Sequence, residues 1–276
     1  MLPSFRFITT KQQKQNIMSQ EQDNTILMGK KLEFIAPSGN SFTLREQNGA
    51  DDDILSNPGD AKTMMNISNF ISSIVVKTNA TKSGKLTPMD AHNLPVNDRY
   101  AILINSRINS LGEMLEFPYD WGEGGKLTYE VDLRDYLADY SEPDLEKLNA
   151  ELALKPEAVP VYPKPLVDID IYTQSGKHLK IDCMTGAHEA EYLSMPVKTK
   201  NTEFVVRNLR MKVGEEFQKV TSFHLFTTKD MVELRKAVKF YDPTFNGTTE
   251  VENPTTNEKV WVNILGVPDF FYPGEM

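Results

Sequence analysis

Apolar residues recur along the chain with two alternating periods, and the changes of period mark its elements. Lys31 to Leu44 alternates loosely around Pro37-Ser38-Gly39-Asn40, with Leu32, Phe34 and Ile35 before the turn and Phe42 and Leu44 after it, which predicts a short hairpin. Beyond Asp51-Asp52-Asp53 and a break at Asn57-Pro58-Gly59, the positions Met64, Ile67, Ile71, Ile74 and Val75 keep helical spacing, with Asp60 near the start. The clearest helix opens at Asn97, carries Tyr100, Leu103, Ile104, Arg107, Ile108 and Leu111 on one face, and stops at Gly112. A turn-rich tip, Glu116 to Gly125, then leads into Lys126 to Leu133, where Leu127, Tyr129, Val131 and Leu133 alternate.

From Ser141 to Pro165 the texture changes. Pro143, Pro156, Pro160, Pro163 and Pro165 punctuate a charged stretch with room for one helix between Asp144 and Leu154, so a linker is expected there. Val167 to Ile171 alternates strictly and turns through Ser175-Gly176 into Leu179 to Ile181, a second hairpin, and Glu203 to Met211 is a strand candidate. Thr227 with Asp230 three residues on caps a helix through Met231, Leu234 and Val238. A last hairpin has Asn253 to Asn257 at its tip and Val260 to Leu265 as its return strand.

These elements predict an α+β fold of two helix-plus-β-ribbon modules with additional hairpins and a weak internal duplication. The expected divisions are a flexible N-terminal extension over 1–30, a helix/ribbon domain over 31–140, a proline-rich linker over 141–165 and a β-rich domain over 166–276 with its own helix/ribbon module. Met18-Ser19-Gln20-Glu21-Gln22 reads as a natural polar amino terminus, so translation is expected to begin at Met18.

Composition narrows the function classes. With 39% hydrophobic and 25% charged residues over 276 positions the chain is an ordinary globular one, and no apolar run approaches the roughly 20 residues of a membrane helix. A net charge of -9 without a dense Lys/Arg block makes nucleic acid an unexpected partner, and no membrane is expected either. Cys183 is the only cysteine, which excludes an intrachain disulfide and fits a reducing compartment.

Three segments carry a family resemblance. Leu44-Arg45-Glu46-Gln47-Asn48-Gly49-Ala50-Asp51-Asp52-Asp53-Ile54-Leu55 resembles the opening of phage tail assembly chaperones. Leu94-Pro95-Val96-Asn97-Asp98-Arg99, continued through Arg107 to Gly112, is similar to a helix that ends before a ribbon, and Phe270-Phe271-Tyr272-Pro273 to a closing aromatic signature. The family is the baseplate-hub and tail-assembly proteins of T4-like contractile-tailed bacteriophages. The resemblance implies a non-enzymatic assembly protein whose partners are other tail or baseplate proteins. It would be found in the host cell cytoplasm during assembly or in the virion baseplate, with an oligomer left open. The alternatives are a permanent subunit of the tail or baseplate, a relative from a contractile injection system, and a metal-dependent or thiol hydrolase. Many family members carry cysteine pairs at the ribbon tips that resemble a zinc ribbon. Here the tips read Pro118-Tyr119-Asp120-Trp121-Gly122 and Asn253-Pro254-Thr255-Thr256-Asn257, so no metal or other cofactor is expected and Trp121, Tyr129 and Trp261 are expected to hold the ribbons by packing.

The candidate partner-binding residues are Arg45, Glu46, Asp51, Asp52 and Asp53, as a docking edge, and Phe270, Phe271 and Tyr272, as an interface anchor. Each has a plainer reading. The three acids lack the alternate spacing and sixth-position glycine of a calcium loop and fit a helix start, where carboxylates meet unpaired N–H groups. The closing aromatics equally suit a core. His178, Cys183 and His188 lie close in sequence without the order of a nucleophile and its base, and His92 and His224 read as loop residues. Asp168 and Asp170 fit a solvated strand face, and Gly122-Glu123-Gly124-Gly125, lacking the lysine of a phosphate loop, fits a hairpin turn.

Overall fold

The computed structural model of the chain describes residues 29–141, 167–242 and 245–272, so nearly all of the extension and linker read from the sequence lie outside the described residues. The fold is α+β. Strands β1 (Lys31–Ile35) and β2 (Ser41–Arg45) form the first hairpin in the register Phe34 opposite Phe42 and Leu32 opposite Leu44. Gly39 takes φ 84° at its turn, a left-handed conformation that glycine adopts without a Cβ clash. Two short helices follow, α1 (Gly49–Leu55) and α2 (Pro58–Ala61), then α3 (Met65–Ile74). Helical spacing extends to Val75 in the sequence, but the chain changes to strand β3 (Val75–Thr78) there, because β-branched Val75 pairs with Leu44 of β2.

Helix α4 (Pro88–His92) and helix α5 (Val96–Leu111) come next. The helix read as opening at Asn97 begins one residue earlier, at Val96, with Pro95 in the N-cap position, and Gly112, at φ 91°, ends it as expected. Its burial departs from a single apolar stripe. Ala101, Ile102, Leu103 and Ile104 are buried together with Asp98, Arg99, Asn105, Ser106 and Arg107, because α5 runs through the middle of the molecule. Strands β4 (Met114–Asp120) and β5 (Lys126–Asp132) make the first ribbon around a tight turn at Gly122–Gly124, and α6 (Arg134–Ser141) follows.

After the linker, β6 (Ile169–Tyr172) and β7 (His178–Ile181) form the predicted hairpin, with Ile169 opposite Ile181 and Ile171 opposite Leu179. Helices α7 (Gly186–Ser194) and α8 (Thr202–Val206) lead to β8 (Arg210–Val213) and β9 (Glu216–Lys219), completing a sheet in the order β6-β7-β8-β9. The strand read over Glu203 to Met211 is therefore a turn of helix and then a strand, with Asn208 left-handed at φ 59° where the chain reverses. Helix α9 (Thr228–Tyr241) begins with the capping box of Thr227 and Asp230 that its sequence spells out. The second ribbon, β10 (Thr248–Glu252) and β11 (Lys259–Asn263), ends in two turns of 3-10 helix at Ile264–Gly266 and Pro268–Phe270.

The described residues form two hydrophobic cores, and their membership departs from the division read at residue 166. The second core joins Ile171, Leu179 and Ile181 of the sheet to Phe204, Leu209, Met231 and Leu234. The first joins Phe42, Leu44, Phe70, Ile71, Ile102, Ile104, Leu115 and Phe117 to Val251, Ile264 and Phe270 of the last ribbon. The helix and ribbon read as one repeated unit at the C-terminus are thus split: α9 covers the second sheet while β10 and β11 return to the first core. Apolar alternation tells a ribbon that it has an inner face, but not which core will receive it.

A polar seam ties the cores together. Pro95 and Thr185 form an isolated bridge, the Val96 N–H donates to the Met184 carbonyl at 2.9 Å, and the Gly186 N–H donates to the Leu94 carbonyl at 3.1 Å. A Cβ on Gly186 would stand 2.6 Å from the Arg99 guanidinium, so only glycine lets the two segments approach this closely. Buried Asp242 completes the seam, accepting from the Met184 N–H at 2.9 Å and from Asn97 Nδ2 at 3.4 Å and pairing with Arg207 at 3.1 Å.

Candidate functional site

The sequence points to two patches, and their geometry separates the residues that hold the fold from those that face outward. Arg45, at the end of β2, lays its guanidinium on Asp51 with two hydrogen bonds of 2.7 Å. Ser73 of α3 joins them, accepting from Arg45 at 2.6 Å and donating to Asp51 at 2.9 Å. The Asp51 carboxylate also accepts the N–H of Asn48, while Asn48 caps α1, so the pair forms a capping box. Burial pushes the Asp51 carboxyl up, but the hydrogen bonds from Arg45, Asn48 and Ser73 together with the Arg45 charge outweigh it and hold the group below the usual carboxylate range. The reading of the acids as a helix start is the one the geometry bears out for Asp51. Arg45 and Asp51 are spent on joining β2, α1 and α3.

Asp52 and Asp53 are exposed, and Glu46 reaches back to accept the Lys30 N–H at 3.2 Å. The closing aromatics divide in the same way. Phe270 is fully buried in the first core and Phe271 meets Phe70 edge-on at 6.1 Å, whereas half-buried Tyr272 donates from its hydroxyl to the Asp52 carbonyl at 3.5 Å. The fold therefore brings the two sequence-read patches side by side, with Asp52, Asp53 and Tyr272 as their outward part. Nothing in the spacing of residues 52 and 272 announces that contact.

The ribbon tryptophans behave differently from one another. Trp121 packs on the first core, stands 4.8 Å from the Tyr119 ring and donates from Nε1 to the Tyr129 hydroxyl at 2.9 Å. Trp261 is 62% exposed on the outer side of β11, so it does not hold its ribbon by packing, and the expectation for it is corrected. The reason is register: Val260 and Val262 take the inner positions, which leaves Trp261 between them facing out.

The residues of the thiol-hydrolase alternative are dispersed. His178 Nε2 is 2.6 Å from Asp170, His188 occupies the capping box of α7 with Thr185, and buried Cys183 directs its Sγ at the Tyr241 carbonyl, 3.8 Å away. Burial and the nearby Asp242 charge push the Cys183 thiol far above its ordinary range, away from a nucleophilic thiolate. Asp168 pairs with Arg210 at 2.7 Å and so stands apart from Asp170 in its contacts. Among the described residues no group of three or more His, Cys, Asp or Glu side chains is placed to hold a metal ion.

One polar cluster escapes sequence reading altogether. His92, read as a loop residue, ends α4 and places Nδ1 3.1 Å from the Ser68 hydroxyl, to which buried Arg99 also donates at 3.1 Å. Burial, and then the Arg99 charge, hold the imidazole below its ordinary value. Ser68 is fully buried, so the cluster holds Arg99 Nη1, which also donates to the Ala91 carbonyl at 2.6 Å, inside the fold rather than presenting a nucleophile.

Comparison of the chain with protein-family models, with curated proteins and with solved structures gives no match.

Proposed function

We propose that the chain is a non-enzymatic assembly protein of a contractile phage tail, acting on the baseplate hub through contacts with other tail proteins. The observation that supports this reading is where the segments carrying the resemblance come to lie. Leu44 and Leu55 of the first, Leu94 of the second and Phe270 of the last belong to the first core, and Ile108 of the second packs against it. The resemblance thus falls on one packed unit instead of on unrelated surface pieces, and Asp52, Asp53 and Tyr272 form the outward part of that unit.

The same unit offers a means of docking. Among the described residues strand β1 has a neighbour on one side only, β2, and Ile35 at its end is 71% exposed. A partner strand can extend the sheet at that edge, where main-chain hydrogen bonds supply affinity and exposed side chains supply selectivity. In the assembly reading, the chain masks or templates partner surfaces until the hub orders them.

Deleting the gene from the phage genome and imaging the lysate by electron microscopy tests the reading. Full heads lacking tails, or tails lacking baseplates, are expected, with normal particles restored by the gene supplied in trans. Normal particles in the absence of the gene would contradict it.

A further inference from the structure

The four-stranded sheet is covered by α9 on one side, where Ile171, Leu179 and Leu234 meet, and among the described residues is open on the other. Alternation sends Tyr172 of β6, His178 of β7 and Phe217 of β9 to the open side, and their rings form a row across the sheet. Tyr172 stacks on His178 with centroids 4.2 Å apart and planes inclined by 21°, and His178 meets Phe217 edge-on at 4.9 Å. Tyr172 is 70% exposed, so the side of its ring away from His178 is open to solvent.

Three lysines share this face. Lys180 lies opposite Arg210, which lies opposite Lys219, and Lys212 lies opposite Phe217. The Lys180 ammonium stands 5.0 Å from the centre of the Phe217 ring. The acids of the face are already occupied: Asp170 by His178, and Asp168 and Asp182 by Arg210. None of the three lysines makes an ion pair among the described residues, and Glu216, at the edge, alternates to the other side.

We infer that this open face binds single-stranded nucleic acid, with bases extending the ring row from Tyr172 and over Phe217 while Lys180, Lys212 and Lys219 meet the phosphates. Every base presents a π-face, so such stacking tolerates sequence, and lysines spaced among rings suit the alternation of base and phosphate along a strand. A duplex keeps its bases stacked on one another and cannot use the rings. The chain-wide charge of -9 opposes any general attraction of polyanions, which makes the local arrangement, rather than bulk charge, the source of binding. The lysines come from three different strands, which is why no basic block marks them in the sequence. The inference is independent of the tail-assembly reading.

Fluorescence anisotropy of a labelled oligothymidylate titrated with the full chain at low ionic strength tests it. Saturable binding is expected, at least tenfold weaker for the corresponding duplex and at least tenfold weaker for Tyr172→Ala, whose exposed position leaves the fold intact by circular dichroism. The triple variant Lys180→Ala, Lys212→Ala, Lys219→Ala is expected to flatten the plot of log affinity against log salt by about 2, at about 0.7 for each phosphate that the variant leaves unneutralised. Absence of saturable binding, equal affinity for duplex and single strand, or binding unchanged in Tyr172→Ala overturns the inference. Capture of a tail protein by this face with no oligonucleotide binding overturns it as well, in favour of a protein partner.

Discussion

The hydroxyl of Tyr129 donates to the carbonyl of Glu252 at 2.9 Å, across 123 residues of chain, and fastens the first ribbon to the second. The same oxygen accepts from Trp121 Nε1, so one side chain satisfies a tip and a strand together. Tyr129→Phe leaves both partners without their bond and is expected to lower stability by about 1–2 kcal/mol, read as a shift in the urea midpoint with unchanged slope. No shift would show that the ribbons are joined by apolar packing alone.

Arg45 and Asp51 form a buried, doubly hydrogen-bonded pair, and removing one partner strands the other. Arg45→Met and Asp51→Leu are each expected to cost about 3–5 kcal/mol, and the double variant much less than their sum. Because the Asp51 carboxyl is held below its ordinary value of 3.8, its contribution is complete above that value and is lost as the pH falls through its lower folded value. Additive effects in a double-mutant cycle would contradict the coupling.

Asp98 behaves in the opposite sense. Burial raises its carboxyl from 3.8 to about 6 against hydrogen bonds from the Ser38 hydroxyl and N–H and from Asn40, and the Asp242 charge adds to the rise. A raised folded value means that the native state holds the proton more tightly. Stability from this group is therefore complete below 3.8 and is lost as the pH rises through about 6. Asp98→Asn keeps an acceptor for Ser38 without the charge. Relative to the native chain it is expected to gain stability between pH 4 and pH 7, by about 3 kcal/mol at the upper end. Parallel stability curves for the two chains would contradict this account of Asp98.

Cys183 is buried and its thiol is pushed upward, so it should resist labelling in the native chain. Treatment with a disulfide reagent is expected to modify no thiol until denaturant is added, and then one per chain. Rapid labelling under native conditions would revive the thiol-hydrolase alternative, which otherwise has no assembled site among the described residues.

Local grammar was legible and long-range company was not. The hairpin from β1 to β2, the ribbon with its glycine turn and the Thr227–Asp230 cap each rest on neighbours a few residues apart, and each forms as its pattern predicts. Val75 looked helical because Ile71 and Ile74 precede it at helical spacing, but pairing with Leu44, 31 positions earlier, decides its conformation. Trp121 stands at the tip of its ribbon and packs on the first core, whereas Trp261 lies in the middle of β11 on its outward face. Of the candidate site, the acids were legible as a helix start, whereas the contact of Tyr272 with Asp52 and the ring row across the second sheet depend on strands and turns far apart in the chain. Such juxtapositions are fixed by topology, on which periodicity is silent.

The most direct test of the assembly reading is quantitative mass spectrometry of purified phage particles beside tail-assembly intermediates and whole lysate from infected cells. The account predicts peptides of this chain in the lysate and enriched with hub or baseplate intermediates. Retention in the particle at structural copy number would make it a permanent subunit, and departure before maturation an assembly factor. Absence from infected cells, or presence there without enrichment in any tail fraction, would contradict the account.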